Sequence, residues 1–231
     1  MNPEVGIHTN RISKALTLIY ALMLALTAIT FGIAVPITCR GFYYRHIETL
    51  HLTDRTPWSH AQIKAAFDDM MNYIWRDAPF ATGELKWSQE GMEHFADCKD
   101  LFWMDINVLA VCVAGLLFLF LITTQLRVKP YRLFGFGAFF WAGAVVFALF
   151  SIIFILGAID FSKAFVIFHR LFFPGKSNWV FDPATDEIIQ ILPEAYFMDC
   201  AVLAISLMVA LCIIFMILGR RKTNVLHHNK S

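Results

Sequence analysis

Long apolar runs separated by polar segments dominate the chain and predict a helical membrane protein. Four runs, at residues 15–36, 104–124, 134–159 and 199–219, are long enough to cross a hydrocarbon core, which takes about 20 residues of helix. None of them has a charged residue in its middle, so no ion path through the membrane is indicated. We therefore expect an all-α membrane protein whose four transmembrane helices form a single integral membrane domain over residues 1–231.

The polar segments 37–103 and 160–198 are long enough to hold structure, and they predict a cap of short helices and loops. In the first, Thr56 as N-cap and Pro57 at the first helical position predict a helix that runs to about Trp75. Its apolar stripe, which predicts a buried or membrane-facing side, consists of Ile63, Phe67, Met70, Met71 and Ile74.

Turn and cap residues predict the remaining elements. Ser88 is expected to cap a second helix that continues through His94 into the second span. In the segment 160–198 the expected features are a turn at Pro174-Gly175, a short extended piece over 179–181, a helical turn over 186–192 capped by Thr185, and Pro193 at the start of the last helix.

Basic residues predict how the chain crosses the membrane. They cluster before the first span, in the link between the second and third spans, and after the last span: Arg11 and Lys14; Arg127, Lys129 and Arg132; Arg220, Arg221, Lys222 and Lys230. Because basic residues stay on the cytoplasmic side, both termini are expected in the cytoplasm and the segments 37–103 and 160–198 outside it.

Composition and charge exclude several classes of protein. Hydrophobic residues make up 58% of the chain and the net charge is +1, so no basic stripe for nucleic acid exists. The five cysteines include no C-x-x-C pair, which argues against a thiol oxidoreductase. The sequence leaves open whether two of Cys39, Cys98 and Cys200 form a disulfide.

Two histidines in the polar segments are the candidates for chemistry. His94 is predicted on a helix with Asp97 and Cys98 on the same face, where Asp97 can orient the imidazole. His169 lies among aromatic residues beyond the third span, and Asp182 can either orient it or cap the turn that follows. The plain alternatives are a solvated surface pair for His94 and an interfacial histidine for His169.

At these residues the chain resembles the bacterial lipoprotein intramolecular transacylase family. The first motif is Glu90-x-x-x-His94-x-x-Asp97-x-Lys99-x-Leu101-Phe102. The second is Phe168-His169-x-Leu171-Phe172-Phe173, then Gly175, Trp179-x-Phe181-Asp182-Pro183-x-x-Asp186, and Pro193 before the last span. Cys98 departs from the small aliphatic residue expected at its position, and residues 40–75 match no part of the resemblance.

The resemblance implies an enzyme that works on a diacylglyceryl lipoprotein in a bacterial cytoplasmic membrane. Such proteins move the sn-2 acyl chain to the α-amino group of the N-terminal cysteine and leave a lyso-form lipoprotein. The diacylated lipoprotein N-terminus and membrane lipid are then the partners, the site faces outward, and neither cofactor nor metal is needed. The implied catalytic pair is His94 and His169, with His169 expected as base and His94 as acid or oxyanion donor.

The residues around this pair supply the other candidates. Asp97 and Asp182 are the orienting candidates, and Arg170, Phe173 and Trp179 are the substrate-binding candidates. Oligomeric state and acyl-chain preference stay open.

Alternative functions remain beside this one. The first is a non-catalytic membrane module that binds lipid or a partner helix through its outer segments. The others are a metal site made by the two histidines with an acidic residue, and a haem held between the two rings. A non-catalytic module predicts that replacing either histidine leaves the function intact.

Overall fold

The computed structural model describes residues 3–220, and for residues 3–10 it describes the backbone alone. The basic residues Arg221, Lys222 and Lys230, which entered the topology prediction, lie outside the described residues. Within the described part there are nine helices: α1 Pro3–Thr38, α2 Arg40–Thr49, α3 Leu52–Arg55, α4 His60–Arg76, α5 Gln89–Gln125, α6 Ala138–Ile159, α7 Phe161–Phe172, α8 Ile188–Ile191 and α9 Glu194–Gly219.

The four predicted spans are confirmed, since α1, α5, α6 and α9 are each long and apolar enough to cross a membrane. The helix of the third span, α6, begins at Ala138 rather than at 134, because Phe134 and Gly135 have φ of 51° and 82° and form a turn. Helix α5 is about 55 Å long at about 1.5 Å per residue, and a hydrocarbon core is about 30 Å thick. The predicted span at 104–124 is therefore only its second part, and residues 89–103 precede it.

The contacts of the chain fall into two compact units. We call Met1–Ile29, Val108–Phe150 and Met208–Ser231 the apolar unit, and Thr30–Asn107 with Ser151–Leu207 the histidine unit. Both histidines singled out by the sequence belong to the second. The expectation of one domain over the whole chain stays a prediction.

Small residues let the helices of the apolar unit approach closely. A Cβ on Gly143 would lie 2.6 Å from the carbonyl oxygen of Cys212, and one on Gly219 would overlap the backbone of Phe140. Close backbone approach of this kind is how membrane helices gain packing energy without a hydrophobic driving force. The core of this unit is made of Tyr20, Leu24, Ala28, Ala138, Ala142, Val146, Cys212 and Phe215.

Larger side chains fill the core of the histidine unit. The ring of Tyr43 stacks on Phe67 at 3.7 Å between centroids, and its hydroxyl donates to the carbonyl oxygen of Ile191 at 2.8 Å. The apolar stripe predicted on α4 is confirmed, because all five of its members are buried. Its predicted start is wrong: Ser59 caps α4, not Thr56, since Ser59 and Gln62 form a reciprocal capping box.

The start of α5 is held by a distant acidic residue. Ser88 is confirmed as the N-cap, because its hydroxyl accepts from Gly91 N at 3.0 Å. The buried carboxylate of Asp186 in turn accepts from Ser88 N at 2.8 Å and from the Ser88 hydroxyl. Asp186 therefore fixes the end of the helix that carries His94.

The segment before α9 differs from its prediction in two places. Residues 179–181 are not an extended piece: Trp179 is in a turn, Val180 is in a bend, and Phe181 has irregular backbone. Helix α8 begins at Ile188 with Glu187 as N-cap, and the Thr185 hydroxyl donates to Asp186 instead of capping it. The predicted turn at Pro174-Gly175 and the position of Pro193 directly before α9 are confirmed.

Candidate active site

The structure brings His94 and His169 together. Their ring centroids lie 5.8 Å apart, and their exposed fractions are only 5% and 7%. His94 is on α5, in the part that precedes the span. His169 is on α7, a helix that the sequence analysis did not anticipate, and Asp160 caps this helix by accepting from Lys163 N at 2.9 Å.

Aromatic side chains enclose the two imidazoles. Phe173 is buried and contacts both rings, at 5.0 Å from the centroid of His94 and 5.8 Å from that of His169. Trp179 stacks on His169 at 4.8 Å, and Phe181 meets His94 edge-on at 5.5 Å. Two of the predicted substrate-binding residues, Phe173 and Trp179, thus line the pair directly.

A tight turn positions Trp179 against the ring of His169. Lys176 N donates to the carbonyl oxygen of Phe173 at 3.2 Å, across a turn in which Gly175 has φ of 76°. A proline followed by a residue with positive φ is typical of a type II turn, which is why Pro174 and Gly175 stand here.

Asp97 ties this turn to α5. Its carboxylate accepts from Lys176 Nζ at 2.5 Å and from Asn178 Nδ2 at 3.1 Å. Burial alone would raise the pKa of Asp97, but these two hydrogen bonds lower it below its usual value. No hydrogen bond joins Asp97 to His94 in the described part of the chain, so its contact with the imidazole is through charge alone.

The surroundings of His169 define its tautomer. Its Nδ1 lies 2.8 Å from the carbonyl oxygen of Phe165, and a carbonyl oxygen can only accept, so Nδ1 carries the proton. Burial lowers the pKa of His169, and the hydrogen bond to Phe165 only partly opposes this. The ring is therefore neutral near pH 7, with a free lone pair on Nε2.

His94 is more deeply desolvated. Burial, helped by the neighbouring His169, lowers the pKa of His94 to about 4 against a weaker opposing effect of Asp97. Its Nε2 lies 3.5 Å from Cys98 Sγ, and its Nδ1 is buried with no hydrogen-bond partner among the described residues. Burial also raises the pKa of Cys98 to about 12, so this sulfur stays a thiol.

The other predicted residues lie in less direct positions. Asp182 Oδ1 accepts from Ala184 N at 2.9 Å, and the Asp182 carbonyl oxygen accepts from Thr185 N and Asp186 N. These contacts cap the turn, which is the second of the two roles expected for Asp182. Arg170 is exposed on α7. Within residues 3–220, no group of three or more His, Cys, Asp or Glu side chains is placed to hold a metal ion.

Three residues important to the geometry were missed by the sequence analysis. Phe165 supplies a carbonyl oxygen one helical turn before His169, which could have been inferred only once α7 was known to be a helix. Lys176 and Asn178 bind Asp97 from a position distant in the chain, and no local pattern indicates such a contact.

Fold and site together define a class: a helical integral membrane protein built around two neutral imidazoles in an aromatic enclosure, an arrangement suited to proton transfer. The chain belongs to the lipoprotein intramolecular transacylase Lit family, whose match extends over residues 18–197. It is accordingly an acyltransferase, as the resemblance had implied.

Solved structures agree with the fold. The structure of the membrane integral lipoprotein intramolecular transacylase Lit from Bacillus cereus superimposes with a TM-score of 0.79 at 24% identity, over 90% of this chain and 94% of that one. A variant of the same Bacillus cereus protein with a histidine replaced by arginine gives 0.77 at 21% identity, over 94% of each chain. No curated protein matches the chain.

Proposed function

We propose that this enzyme moves the sn-2 acyl chain of a diacylglyceryl lipoprotein onto the α-amino group of its N-terminal cysteine, with His169 as general base and His94 as donor to the oxyanion. One observation carries this assignment. Each imidazole has one nitrogen engaged and one free. The carbonyl oxygen of Phe165 fixes the tautomer of His169, and we assign the Cys98 thiol as donor to His94, which makes the two free nitrogens opposite in kind. His169 keeps a lone pair, and His94 keeps an N–H.

The first step is attack of the neutral α-amine on the ester carbonyl carbon. An α-amino group has a pKa of about 7.7–8.0, so a useful fraction is neutral at physiological pH. As the new N–C bond forms, the nitrogen becomes positively charged and gives one proton to His169 Nε2. The lowered pKa of His169 keeps that nitrogen unprotonated beforehand.

His94 supports the negative charge that develops on the carbonyl oxygen. Within this proposal the neutral thiol of Cys98 is the donor to His94 Nε2, which assigns the ring proton to Nδ1. A buried donor without a partner costs about 1–3 kcal/mol. An oxyanion placed against this N–H removes that cost and is itself stabilised, in the manner of an oxyanion hole.

The second step is collapse of the tetrahedral intermediate. The bond between the acyl carbon and the glyceryl oxygen breaks, and this leaving oxygen takes the proton from His169 to become a hydroxyl. An amide and a hydroxyl replace an amine and an ester, so total mass is unchanged and no acyl donor or energy source is required. Because both reacting groups belong to one molecule, holding them in contact can contribute about 7–11 kcal/mol.

The surroundings of the pair suit a substrate anchored in lipid. Helix α7 buries His169 on one side, and on the other it exposes apolar residues, a pattern typical of a helix at a membrane surface. These exposed residues are Ile167, Phe168, Leu171 and Phe172. With the basic link 127–132 in the cytoplasm, the histidine pair faces the outer side, where lipoprotein N-termini are displayed.

Tandem mass spectrometry of N-terminal lipopeptides tests this proposal. A bacterial host lacking N-acylation of lipoproteins is given the wild-type chain, His94→Ala, His169→Ala, His51→Ala or an empty vector. His51 is a matched control because its side chain is 69% exposed. Wild type and His51→Ala are expected to shift one acyl chain from glycerol to nitrogen at constant mass, and the other two variants are not.

Two results would contradict the proposal in different ways. If wild type is present in the membrane and leaves the lipopeptide unchanged, the reaction is wrong. If His94→Ala and His169→Ala convert it as fast as wild type, the reaction stands and the roles of the histidines are wrong.

A further inference from the structure

The side chain of Asn178 is used at one end only. Its Nδ2 donates to Asp97 Oδ2 at 3.1 Å, and its Oδ1 is buried with no hydrogen-bond partner among the described residues. Buried polar atoms are almost always paired, so an empty acceptor one residue before Trp179, which stacks on His169, is a candidate partner for a substrate donor.

Rotating the carboxamide cannot satisfy this oxygen. The carboxylate of Asp97 can only accept, and its pKa is lowered, so it is ionised near pH 7. It therefore holds the Nδ2 end of Asn178 toward itself. The Oδ1 end must point the other way, and the second carboxylate oxygen is already taken by Lys176.

Asn178 is linked to both histidines through its neighbours. Its bonded partner Asp97 follows His94 on α5 and acts on it electrostatically. Its chain neighbour Trp179 stacks on the ring of His169. The acceptor without a partner therefore belongs to the segment that packs against the two imidazoles.

We infer that Asn178 Oδ1 accepts a hydrogen bond from the N–H of the substrate α-amino group that is not transferred, and that it thereby selects a primary amine. This rests on the proposed function. A primary amine has two N–H bonds and a lone pair. When the lone pair attacks, one proton goes to His169 and the other stays on nitrogen through the intermediate and into the amide product. An acceptor facing that second N–H is most effective while the nitrogen is positively charged.

The proposed role of Asn178 differs from that of a residue that only anchors the turn. Lys176 binds the same carboxylate from the same turn, but it has no acceptor to offer the substrate. Removing Lys176 weakens the anchor and takes away a charge that helps lower the pKa of His94, but it deletes no acceptor. Removing Asn178 weakens the anchor and deletes the acceptor, so comparison of the two variants isolates the acceptor.

The experiment measures initial rates with two synthetic diacylglyceryl lipopeptides in vesicles that contain the purified full-length enzyme. One lipopeptide has a free N-terminal amine, and the other is N-methylated, so that after proton transfer no N–H is left for Asn178. For Asn178→Ala we expect a loss of about tenfold with the primary amine, as deletion of a bond to a charged group implies. With the N-methyl substrate its rate should fall only by the smaller factor that loss of the bond to Asp97 causes, because the bond to the substrate is absent already.

The control and the contradicting results are distinct. Lys176→Met is expected to lower both rates by one common, smaller factor. If Asn178→Ala also lowers both rates equally, or leaves the primary-amine rate unchanged, the inference is wrong. If wild type converts neither lipopeptide, the proposed function has failed instead. If the alanine variant does not fold, Asn178→Ser, whose shorter side chain draws the acceptor oxygen back from the position of Oδ1, should show the same substrate-dependent pattern.

Discussion

Two histidines of the histidine unit share one local motif and differ in their surroundings. His46 on α2 and His169 on α7 each follow a phenylalanine by one helical turn. In both, Nδ1 binds the carbonyl oxygen of that phenylalanine, at 2.7 Å from Phe42 and 2.8 Å from Phe165. In both, the phenylalanine ring contacts the imidazole, with centroids 4.4 and 4.1 Å apart.

The two histidines differ in the surroundings of their second ring nitrogen, Nε2. Nε2 of His46 lies 3.0 Å from Asp199 Oδ2, so both of its nitrogens already have protein partners and neither is left for a substrate. Nε2 of His169 makes no hydrogen bond to any described residue, and the ring lies 5.8 Å from that of His94. The same local structure therefore yields a packing residue in one place and a candidate base in the other. The difference comes from what the opposite helix presents.

The largest effect should come from replacing each histidine by glutamine. For His169→Gln we expect transacylation to fall by about 10²–10⁴-fold, the usual contribution of a general base. For His46→Gln we expect the free energy of unfolding to fall by about 1–3 kcal/mol, because the buried imidazole loses its hydrogen bond to Asp199 and its ring contact with Tyr196. Rates per folded molecule and thermal unfolding measure the two effects. The comparison breaks down if His46→Gln reduces the rate as much as His169→Gln.

A second contrast concerns two glycines near these histidines. A Cβ on Gly91, one turn before His94, would overlap Asp186 Oδ1 and come within 3.0 Å of the Phe181 ring. Gly91→Ala should therefore cost about 1–3 kcal/mol of stability and displace the ring that meets His94. Gly41, on the helix of His46, has nothing within 4 Å of an added Cβ.

The matched variant Gly41→Ala should keep wild-type rate and gain up to about 1 kcal/mol from helix propensity. Thermal midpoints and initial rates of the two variants test this. Equal behaviour of both variants would show that the contact of Asp186 and Phe181 with α5 does not position His94.

The smallest difference from an exposed histidine should be in the shape of the pH profile of the rate. Burial lowers the pKa of His169, so its neutral form persists to lower pH than in an exposed histidine. The amine, with a pKa of about 7.7–8.0, then controls the rising limb, and log rate should increase with a slope of one up to about pH 7.5. Initial rates of transacylation between pH 5.5 and 9 provide the measurement. A second bend at about pH 6.5, where an exposed histidine titrates, would contradict the neutral pair.

Several predictions from the sequence were local, and most of these are confirmed. Span lengths follow from apolar runs, Ser88 is an N-cap, and Pro174-Gly175 forms a turn, because each depends on residues close together in the chain. The prediction that Thr56 caps α4 was wrong, because Ser59, three residues later, forms a capping box with Gln62. Helix α7 was missed because its start at Asp160 follows α6 directly and the apolar pattern continues through it.

The amino-acid sequence by itself determined the all-helical class, the four spans and the two histidines worth testing, because hydrophobic length and residue chemistry are properties of the chain. Only the tertiary structure decided which histidine keeps a free lone pair and which is bound at both nitrogens. It also decided that Asp97 holds Lys176 and Asn178 rather than His94. Hydrogen-bond roles depend on partners from other helices, and burial sets the charge of each ring, so both follow from packing.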